Sequence, residues 1–288
     1  AEGQGGLLDV MVPADFETSR RIWLTWAAPV AGGAATAAGF GTLSPDGTAL
    51  EGLTPVFLAE AVGGGRHFGA RLVETAGGQV FVTTGERGTG PEGHEAQDPT
   101  NALGKVVLLN ADGTPGVAVP GWRPGIWSIG HRNIQGAALD LSGRLLTVEH
   151  GAQGGDEVNA PEQGRNYGWP VITYGVNYGG GAIGEGHAKE GLEQPLHYWD
   201  PSIAPSGLMV YSGALVPGWK GDVFTGSLNS DFLARLDPES SAPSGWLEER
   251  LNAAETGRVR DVAEAPDGSI WFLSVTAGAV FRLAPAGG

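Results

Sequence analysis

The chain has 288 residues, of which 41% are hydrophobic, with 50 Gly, 19 Pro, 9 Trp and no Cys. Its net charge of −15 disfavours binding to nucleic acid or anionic membranes, and the lack of Cys excludes disulfides and thiolate metal sites. No run of about 18 apolar residues is present to span a membrane. The abundant Gly and Pro predict a globular chain of short strands joined by turns and loops.

Short β-rich runs, each preceded by a polar or Gly turn, recur where helical periodicity is missing. Five such hairpin signals occur, at residues 17–26, 75–84, 141–150, 218–227 and 265–274. Their matching positions are Ile22, Val80, Leu145, Val223 and Ile270, at spacings of 58, 65, 78 and 47 residues. This spacing predicts propeller blades of about four strands with variable loops between them. A β-sandwich is the alternative, but it does not explain five copies of one hairpin.

Two early loops carry candidate functional side chains. Gln4 lies in GQGGLLD (3–9), which is uninformative when taken alone. His67 lies in the Gly-rich loop GGGRHFGARL (63–72). An imidazole with an ordinary pKa of about 6.5 can serve as a general base, whereas a lone loop His is more often structural. Both interpretations of His67 stay open at this point.

The stretch GHRNIQG (130–136) concentrates hydrogen-bonding side chains in an otherwise acidic chain. Arg132 offers a planar fork of donors that suits carboxylates or carbonyl oxygens, and Asn133 adds an amide. The alternative is a structural loop tied together by these side chains.

Hard oxygen donors follow in EHGAQGGDEVN (149–159), which runs on into GRNYGWP (164–170). The backbone carbonyls of Gly151 and Ala152 and the carboxylates of Asp156 and Glu157 suit Ca²⁺ better than Zn²⁺. A solvated acidic loop is the alternative.

Near the C-terminus, GRVRD (257–261) places Arg258 and Arg260 two residues apart on an expected strand. Alternate residues of a strand point to one face, so the two guanidinium groups would lie side by side. Such a pair requires an anion or internal carboxylates nearby.

Taken in order, these stretches resemble the PQQ-dependent aldose sugar dehydrogenases, which are relatives of soluble quinoprotein glucose dehydrogenase. The matching motifs are Q-G-G-L, H-F-G-x-R-L, G-H-R-N-x-Q-G, E-H-G-x-Q-G-G-D-E-x-N and G-x-N-Y-G-W-P, with PSIAPSG (201–207) and GRVRD in addition. The resemblance covers essentially the whole chain, and segment 130–170 is its most specific part.

The resemblance implies a six-bladed β-propeller. With five hairpin signals, the chain has about five blades' worth of sequence. We therefore expect a single β-propeller domain over residues 1–288 that lacks one N-terminal blade.

The resemblance also implies a reaction, namely oxidation of an aldose at C1 to the lactone with hydride transfer to C5 of PQQ. His67 matches the general base that removes the proton of the C1 hydroxyl, and Arg132 matches the arginine that polarises the quinone carbonyl. Arg132 is also expected among the side chains that hold the cofactor, the others being Gln4, Asn133, Arg258 and Arg260.

Calcium is the second implied cofactor. The carbonyls of Gly151 and Ala152 match oxygens that bind the Ca²⁺ of the cofactor. Glu157 and the Tyr167 carbonyl match ligands of a second, structural Ca²⁺. Ala152 stands where the family commonly has Pro, and Asn229 stands about where it usually has a Lys on the cofactor.

Two other functions remain as alternatives. One is a non-catalytic propeller that binds partners or carbohydrate through a vestigial site, which Asn229 and the missing blade favour. The other is a Ca²⁺-dependent lactone or ester hydrolase. For the dehydrogenase we expect a periplasmic or secreted monomer or dimer that passes electrons to an external acceptor and binds no nucleic acid.

Overall fold

The computed structural model describes residues 3–89 and 93–285. Regular structure within those residues is almost entirely β, in five antiparallel sheets. The described helical parts are the single turn α1 (Phe16–Ser19) and two 3₁₀ turns, His94–Gln97 and Pro217–Trp219. The prediction of an all-β chain is confirmed.

The described chain divides into two compact units. The first comprises residues 3–89 and 93–134 together with Pro161–Val171 and Glu190–Glu193. It holds two four-stranded sheets whose strands pair in chain order. The first sheet contains β1 (Leu7–Met11), β2 (Arg21–Val30), β3 (Gly33–Leu43) and β4 (Leu50–Leu58). The second contains β5 (Gly69–Glu74), β6 (Val80–Thr84), β7 (Lys105–Leu109) and β8 (Ile126–Ile129). One apolar cluster, including Trp23, Phe57, Leu72, Val82 and Ile126, packs the two sheets together.

The second unit comprises Gln135–Ala160, Ile172–Lys189 and 194–285. Its first sheet contains β9 (Ile134–Leu139), β10 (Leu145–Glu149), β11 (Asp156–Asn159) and β12 (His197–Trp199). Its second contains β13 (Pro205–Val210), β14 (Val223–Ser227), β15 (Leu233–Ala242) and β16 (Gly245–Leu251). A three-stranded sheet follows, with β17 (Val259–Glu264), β18 (Ile270–Ser274) and β19 (Ala279–Leu283). Two apolar clusters pack these sheets, one around Val148, Trp199 and Leu236 and one around Tyr211 and Phe272.

Each sheet is a meander of consecutive antiparallel strands, which is the architecture of a propeller blade. The five hairpin signals of the sequence mark the second strand of each sheet, namely β2, β6, β10, β14 and β18. The prediction of a β-propeller with about five blades' worth of sequence is therefore confirmed, and the alternative of a β-sandwich is wrong. A single domain spanning residues 1–288 stays a prediction.

Most candidate functional residues lie at equivalent places in their own sheets. In an antiparallel sheet the second strand ends beside the start of the first, so the loops at those two points share one edge. The candidates that precede a first strand are Gln4, His67, Arg132, Asn133 and Arg258. Those that follow a second strand are Gly151, Ala152 and Asn229. The meander topology thus explains why residues far apart in the sequence occupy corresponding loops of their own sheets.

Candidate active site

His67 is held by a short hydrogen-bonded loop in front of β5. Its backbone N–H donates to Oε1 of Gln4 at 2.8 Å, and the N–H of Gln4 donates to the carbonyl of Gly65 at 2.6 Å. The backbone of His67 has φ 54°, in the left-handed region that few non-glycine residues adopt. The structure therefore brings Gln4 and His67 together.

The imidazole of His67 pairs with Glu86, a residue that sequence reasoning missed. His67 Nδ1 hydrogen-bonds Oε1 of Glu86, whose side chain is 2% exposed and follows β6. Burial lowers the pKa of His67 below its ordinary value of 6.5, the Glu86 hydrogen bond opposes this shift, and the nearby Arg132 charge adds to it. The ring is therefore neutral at pH 7. With Nδ1–H donated to the carboxylate, Nε2 is left as a proton acceptor.

Arg87 fixes the loop that carries His67, and it too was missed. Its guanidinium donates to the carbonyls of Arg66 at 2.8 Å, Ala34 at 2.5 Å and Gly64 at 2.7 Å. The guanidinium carbon also lies 3.6 Å from the centre of the Phe68 ring. Because Arg87 is 1% exposed, these contacts form a buried clamp beneath the loop.

Buried polar side chains fill the stretch GHRNIQG. Arg132 is 6% exposed, and its guanidinium carbon lies 5.1 Å from the centre of the Trp169 ring. The Arg132 carbonyl accepts the Glu86 N–H at 2.9 Å, so this loop is joined to the Glu86 loop. Asn133 is 1% exposed, and its Oδ1 accepts the Gly69 N–H at 3.3 Å. His131 is structural, since its Nε2 bonds Ser128 at 2.8 Å.

In the second unit, Asp156 organises the loop that was expected to hold a cation. Oδ1 of Asp156 accepts the Gly151 N–H at 2.8 Å. Oδ2 accepts the Ser202 hydroxyl at 2.6 Å and the N–H groups of Ile203 at 2.9 Å and Ala204 at 2.8 Å. Both oxygens are thus committed to protein donors, and Asp156 differs from the expectation of a carboxylate facing a cation. Gly151 and Ala152 lie in the loop that follows β10.

Glu157 lies in an oxygen-rich patch on one face of β10 and β11. It is directly opposite Glu149, and Asn159 Nδ2 bridges the two carboxylates at 3.1 Å and 3.0 Å. Burial first, and the Glu149 charge second, raise the pKa of Glu157 to about 8. Asn159 Oδ1 and Thr147 Oγ1 are buried, with no hydrogen-bond partner among the described residues. Two neighbouring acidic side chains beside buried oxygens that have no described partner are suited to a bound cation, whose charge would favour their ionised forms.

The expected cofactor arginines of the second unit are both exposed, with the buried Val259 between them. Arg258 precedes β17 with φ 46°, and its Nη1 donates to the Leu228 carbonyl at 2.8 Å. Arg260 lies within β17 and its Nη1 is 3.4 Å from the Ser206 hydroxyl. Asn229 is exposed and donates to the Ser202 carbonyl at 3.2 Å.

Tyr167, the remaining predicted metal ligand, lies in the first unit. Its N–H donates to the Ile129 carbonyl at 2.9 Å, and its ring stacks on His131 at 5.0 Å. Across residues 3–89 and 93–285, no three His, Asp or Glu side chains are grouped in a way that could hold a metal ion. A Ca²⁺ bound by these described residues would therefore need backbone or amide oxygens among its ligands. The helices described are too short or too polar to cross a membrane.

Known proteins are similar to this chain in both fold and sequence. It matches the family described as Glucose / Sorbosone dehydrogenase over residues 1–282. It is 38% identical to the aldose sugar dehydrogenase YliI of Escherichia coli (strain K12), over 99% of this chain and 78% of that protein. A crystal structure of a glucose dehydrogenase superposes with a TM-score of 0.90 at 39% identity, over 99% of this chain and 84% of that one.

A more distant structure contains a cofactor. It is the PQQ-bound form of an aldose sugar dehydrogenase from Streptomyces coelicolor, with a TM-score of 0.75 and 25% identity over 100% of this chain and 78% of that one. Fold and relatives together define a β-propeller oxidoreductase. The chain belongs to the glucose/sorbosone dehydrogenase family, and the family resemblance found in the sequence is confirmed.

Proposed function

We propose that this protein is a PQQ- and Ca²⁺-dependent aldose sugar dehydrogenase that oxidises the C1 hydroxyl of the sugar to the lactone. The observation that carries the proposal is the imidazole of His67, which is paired through Nδ1 with the buried Glu86 carboxylate and lies near the charge of Arg132. The named relatives support the substrate class and the cofactor.

His67 acts as the general base. Its Nε2 takes the proton of the C1 hydroxyl while the hydride leaves C1. Glu86 holds the ring through Nδ1 and stabilises the imidazolium that forms, because a buried carboxylate next to a charged ring is a strong hydrogen-bond acceptor. A base of this kind contributes about 10²–10⁴-fold to a rate.

PQQ, when bound, supplies the quinone that accepts the hydride. Because PQQ is a tricarboxylate, it needs fixed donors and positive charge. Arg132, Asn133 and Gln4 offer such donors around His67 in the first unit. Arg258 forms no ion pair with a described carboxylate, so its charge is available to an anionic ligand. The cofactor-holding roles of Arg258 and Arg260 remain predictions.

Calcium would be held by two kinds of oxygen. The carbonyls of Gly151 and Ala152 would hold the Ca²⁺ that accompanies the cofactor, in a loop shaped by Asp156. Glu157 would hold a structural Ca²⁺, supported by the oxygens of Asn159 and Thr147 that have no described partner. The Tyr167 carbonyl as a further ligand also remains a prediction.

A periplasmic or secreted location and an external electron acceptor complete the proposal. Both belong to the proposal and follow from the family resemblance.

The test is reconstitution. Purified protein is loaded with PQQ and Ca²⁺, and reduction of bound PQQ by an aldose is followed in a single turnover. We expect His67→Ala to slow this step by about 10²–10⁴-fold while leaving PQQ affinity nearly unchanged. The control is His187→Ala, an exposed histidine outside the site. A wild-type protein that binds PQQ but cannot be reduced by any aldose would refute the dehydrogenase and leave the vestigial binding module.

A further inference from the structure

Lys105, the first residue of β7, is a fully buried lysine that the proposed mechanism does not use. Its Nζ donates to the carbonyl of Glu95 at 2.9 Å and to that of Ala96 at 3.1 Å. Nζ also donates to the Leu103 carbonyl and lies 3.4 Å from Oδ1 of Asn101. A buried ammonium group is costly, and this ring of oxygens offsets the cost.

The described partners of the Lys105 amine are all hydrogen-bond acceptors. Burial lowers the pKa of Lys105 to about 7, and the charges of Asp98, Glu60 and Glu95 oppose that shift. Only the ammonium form carries three N–H donors, so the surrounding oxygens favour the charged side chain. Lys105 therefore holds several carbonyls together from the inside, as a bound cation would.

Two of these carbonyls belong to the 3₁₀ turn His94–Gln97, which Lys105 thereby fixes to the start of β7. The turn contacts other loops of the first unit. The Ala96 carbonyl also accepts the Gly130 N–H at 2.9 Å, so it joins the turn to the stretch GHRNIQG.

Gln97 connects the same turn to the stretch that contains Trp169. Its Nε2 donates to the Trp169 carbonyl at 2.7 Å and to Oδ1 of Asn166 at 3.1 Å. Nδ2 of Asn166 donates back to Oε1 of Gln97 at 2.7 Å. The Trp169 N–H donates to the Gly130 carbonyl at 2.9 Å. The backbone of Trp169 is therefore held both by Gln97 and by a residue two positions before Arg132.

The ring of Trp169 in turn contacts Arg132. The guanidinium carbon lies 5.1 Å from the centre of the ring, and both residues are buried. A cation is attracted to the face of an indole ring, so the place of the ring influences how the guanidinium is oriented. A continuous series of contacts thus leads from Lys105 through the turn and Gln97 to Arg132.

We propose that Lys105 is a positioning residue of the active site, which sets the place of the Trp169 ring and thereby the orientation of the Arg132 guanidinium. The inference rests on the proposed function, in which Arg132 holds PQQ and polarises its quinone carbonyl. Lys105 acts only through these intervening residues.

The first test needs no cofactor. Protein labelled with fluorotryptophan gives a fluorine NMR signal for each of its 9 Trp, and Trp169→Phe identifies the signal of Trp169. We expect Lys105→Met, which keeps a long side chain without the ammonium, to shift that signal by more than its linewidth at pH 6. The matched control is Val107→Ala, which removes buried apolar atoms from the same strand and should leave the signal in place.

The second test measures PQQ binding and reduction with Ca²⁺ present. Lys105→Met should weaken PQQ affinity by about tenfold, and single-turnover reduction of bound PQQ by an aldose should slow by about 10–10²-fold, because misplacing a group at the reacting centre by about 1 Å can cost 10²-fold. Gln97→Leu removes the amide that holds Trp169 and should reproduce both effects. The double variant should lose no more than Lys105→Met alone, since residues of one network are not additive.

Three results would overturn the role of Lys105. They are an unmoved Trp169 signal in folded Lys105→Met protein, equal losses of PQQ affinity in Lys105→Met and Val107→Ala, and losses of Lys105→Met and Gln97→Leu that add in full. Where Lys105→Met does not fold, Gln97→Leu carries the test, and an unchanged signal and affinity there refute the proposal. If the wild-type protein oxidises no aldose, the proposed function has failed, and the fluorine signal still decides whether Lys105 positions Trp169.

Discussion

Glu86→Gln tests the proposed catalytic pair most directly. Glu86 raises the pKa of His67 through its hydrogen bond and its charge, while burial and Arg132 lower it. Removing the carboxylate charge leaves only the lowering influences, so the pKa of His67 must fall further below 6.5. A hydrogen bond to a charged group is worth about 1.5–3 kcal/mol, and one pKa unit corresponds to about 1.4 kcal/mol. The expected shift is therefore about 1–2 units downward.

The kinetic consequence has two parts. The acid limb of kcat/KM, which reports the free-enzyme base, should move to lower pH by that amount. The plateau should fall by about 10–10²-fold, because a less basic ring accepts the hydroxyl proton less readily and Gln can hold the wrong tautomer. The stabilisation of protonated His67 that Glu86 provides is lost at every pH, so raising the pH does not restore the rate.

The measurement is kcat/KM for an aldose between pH 4 and 9 with PQQ and Ca²⁺ saturating. Glu51→Gln, which removes the same charge from an exposed position on β4, is the control and should leave the profile in place. An acid limb that stays where it was, or moves to higher pH, would show that Glu86 does not set the basicity of the catalytic group.

Three further predictions concern the loops around the site. Arg87→Met should lower the free energy of unfolding by about 3 kcal/mol, because the carbonyls of Arg66, Ala34 and Gly64 lose the buried guanidinium that donates to all three, and denaturant titration would show it. Asp156→Asn should cost about 2–4 kcal/mol in the same assay, since an amide nitrogen cannot accept the N–H and hydroxyl donors that now converge on the carboxylate. Saturating Ca²⁺ should raise the wild-type Tm by about 5 °C, and Glu157→Gln should at least halve that rise; equal rises in both proteins would remove Glu157 from the metal site.

The strands were predictable because their signal is local. A turn followed by alternating β-branched and aromatic residues is contained in about ten residues, and it located the second strand of every sheet. The same locality placed His67 and Arg132 in loops at strand ends. Which residues these side chains contact depends on parts of the chain that are distant in sequence. No local sequence pattern predicts those contacts.

Asp156 shows the limit of local reasoning. Its sequence context, GGDEVN, is that of an acidic loop, so a cation was the natural partner. The structure instead gives it donors 46 to 48 residues away, in the stretch that begins at Ser202. Backbone N–H groups and a hydroxyl occupy both oxygens of this carboxylate, and no periodicity or composition signals that convergence.

The stretch Gly85–Glu86–Arg87 explains how the proposed base is oriented. A left-handed backbone at a non-glycine residue costs about 1–2 kcal/mol, so His67 adopts it only because its surroundings impose it. Gly85 leaves room for the His67 carbonyl, which would lie 2.0 Å from any Cβ at that position. Glu86 holds the ring, and Arg87 holds the carbonyls of Gly64 and Arg66, which precede His67 in its loop. Three consecutive residues after β6 therefore supply the space, the charge and the clamp for one imidazole, and a change at any of them should alter the orientation of His67 before it alters the sheets.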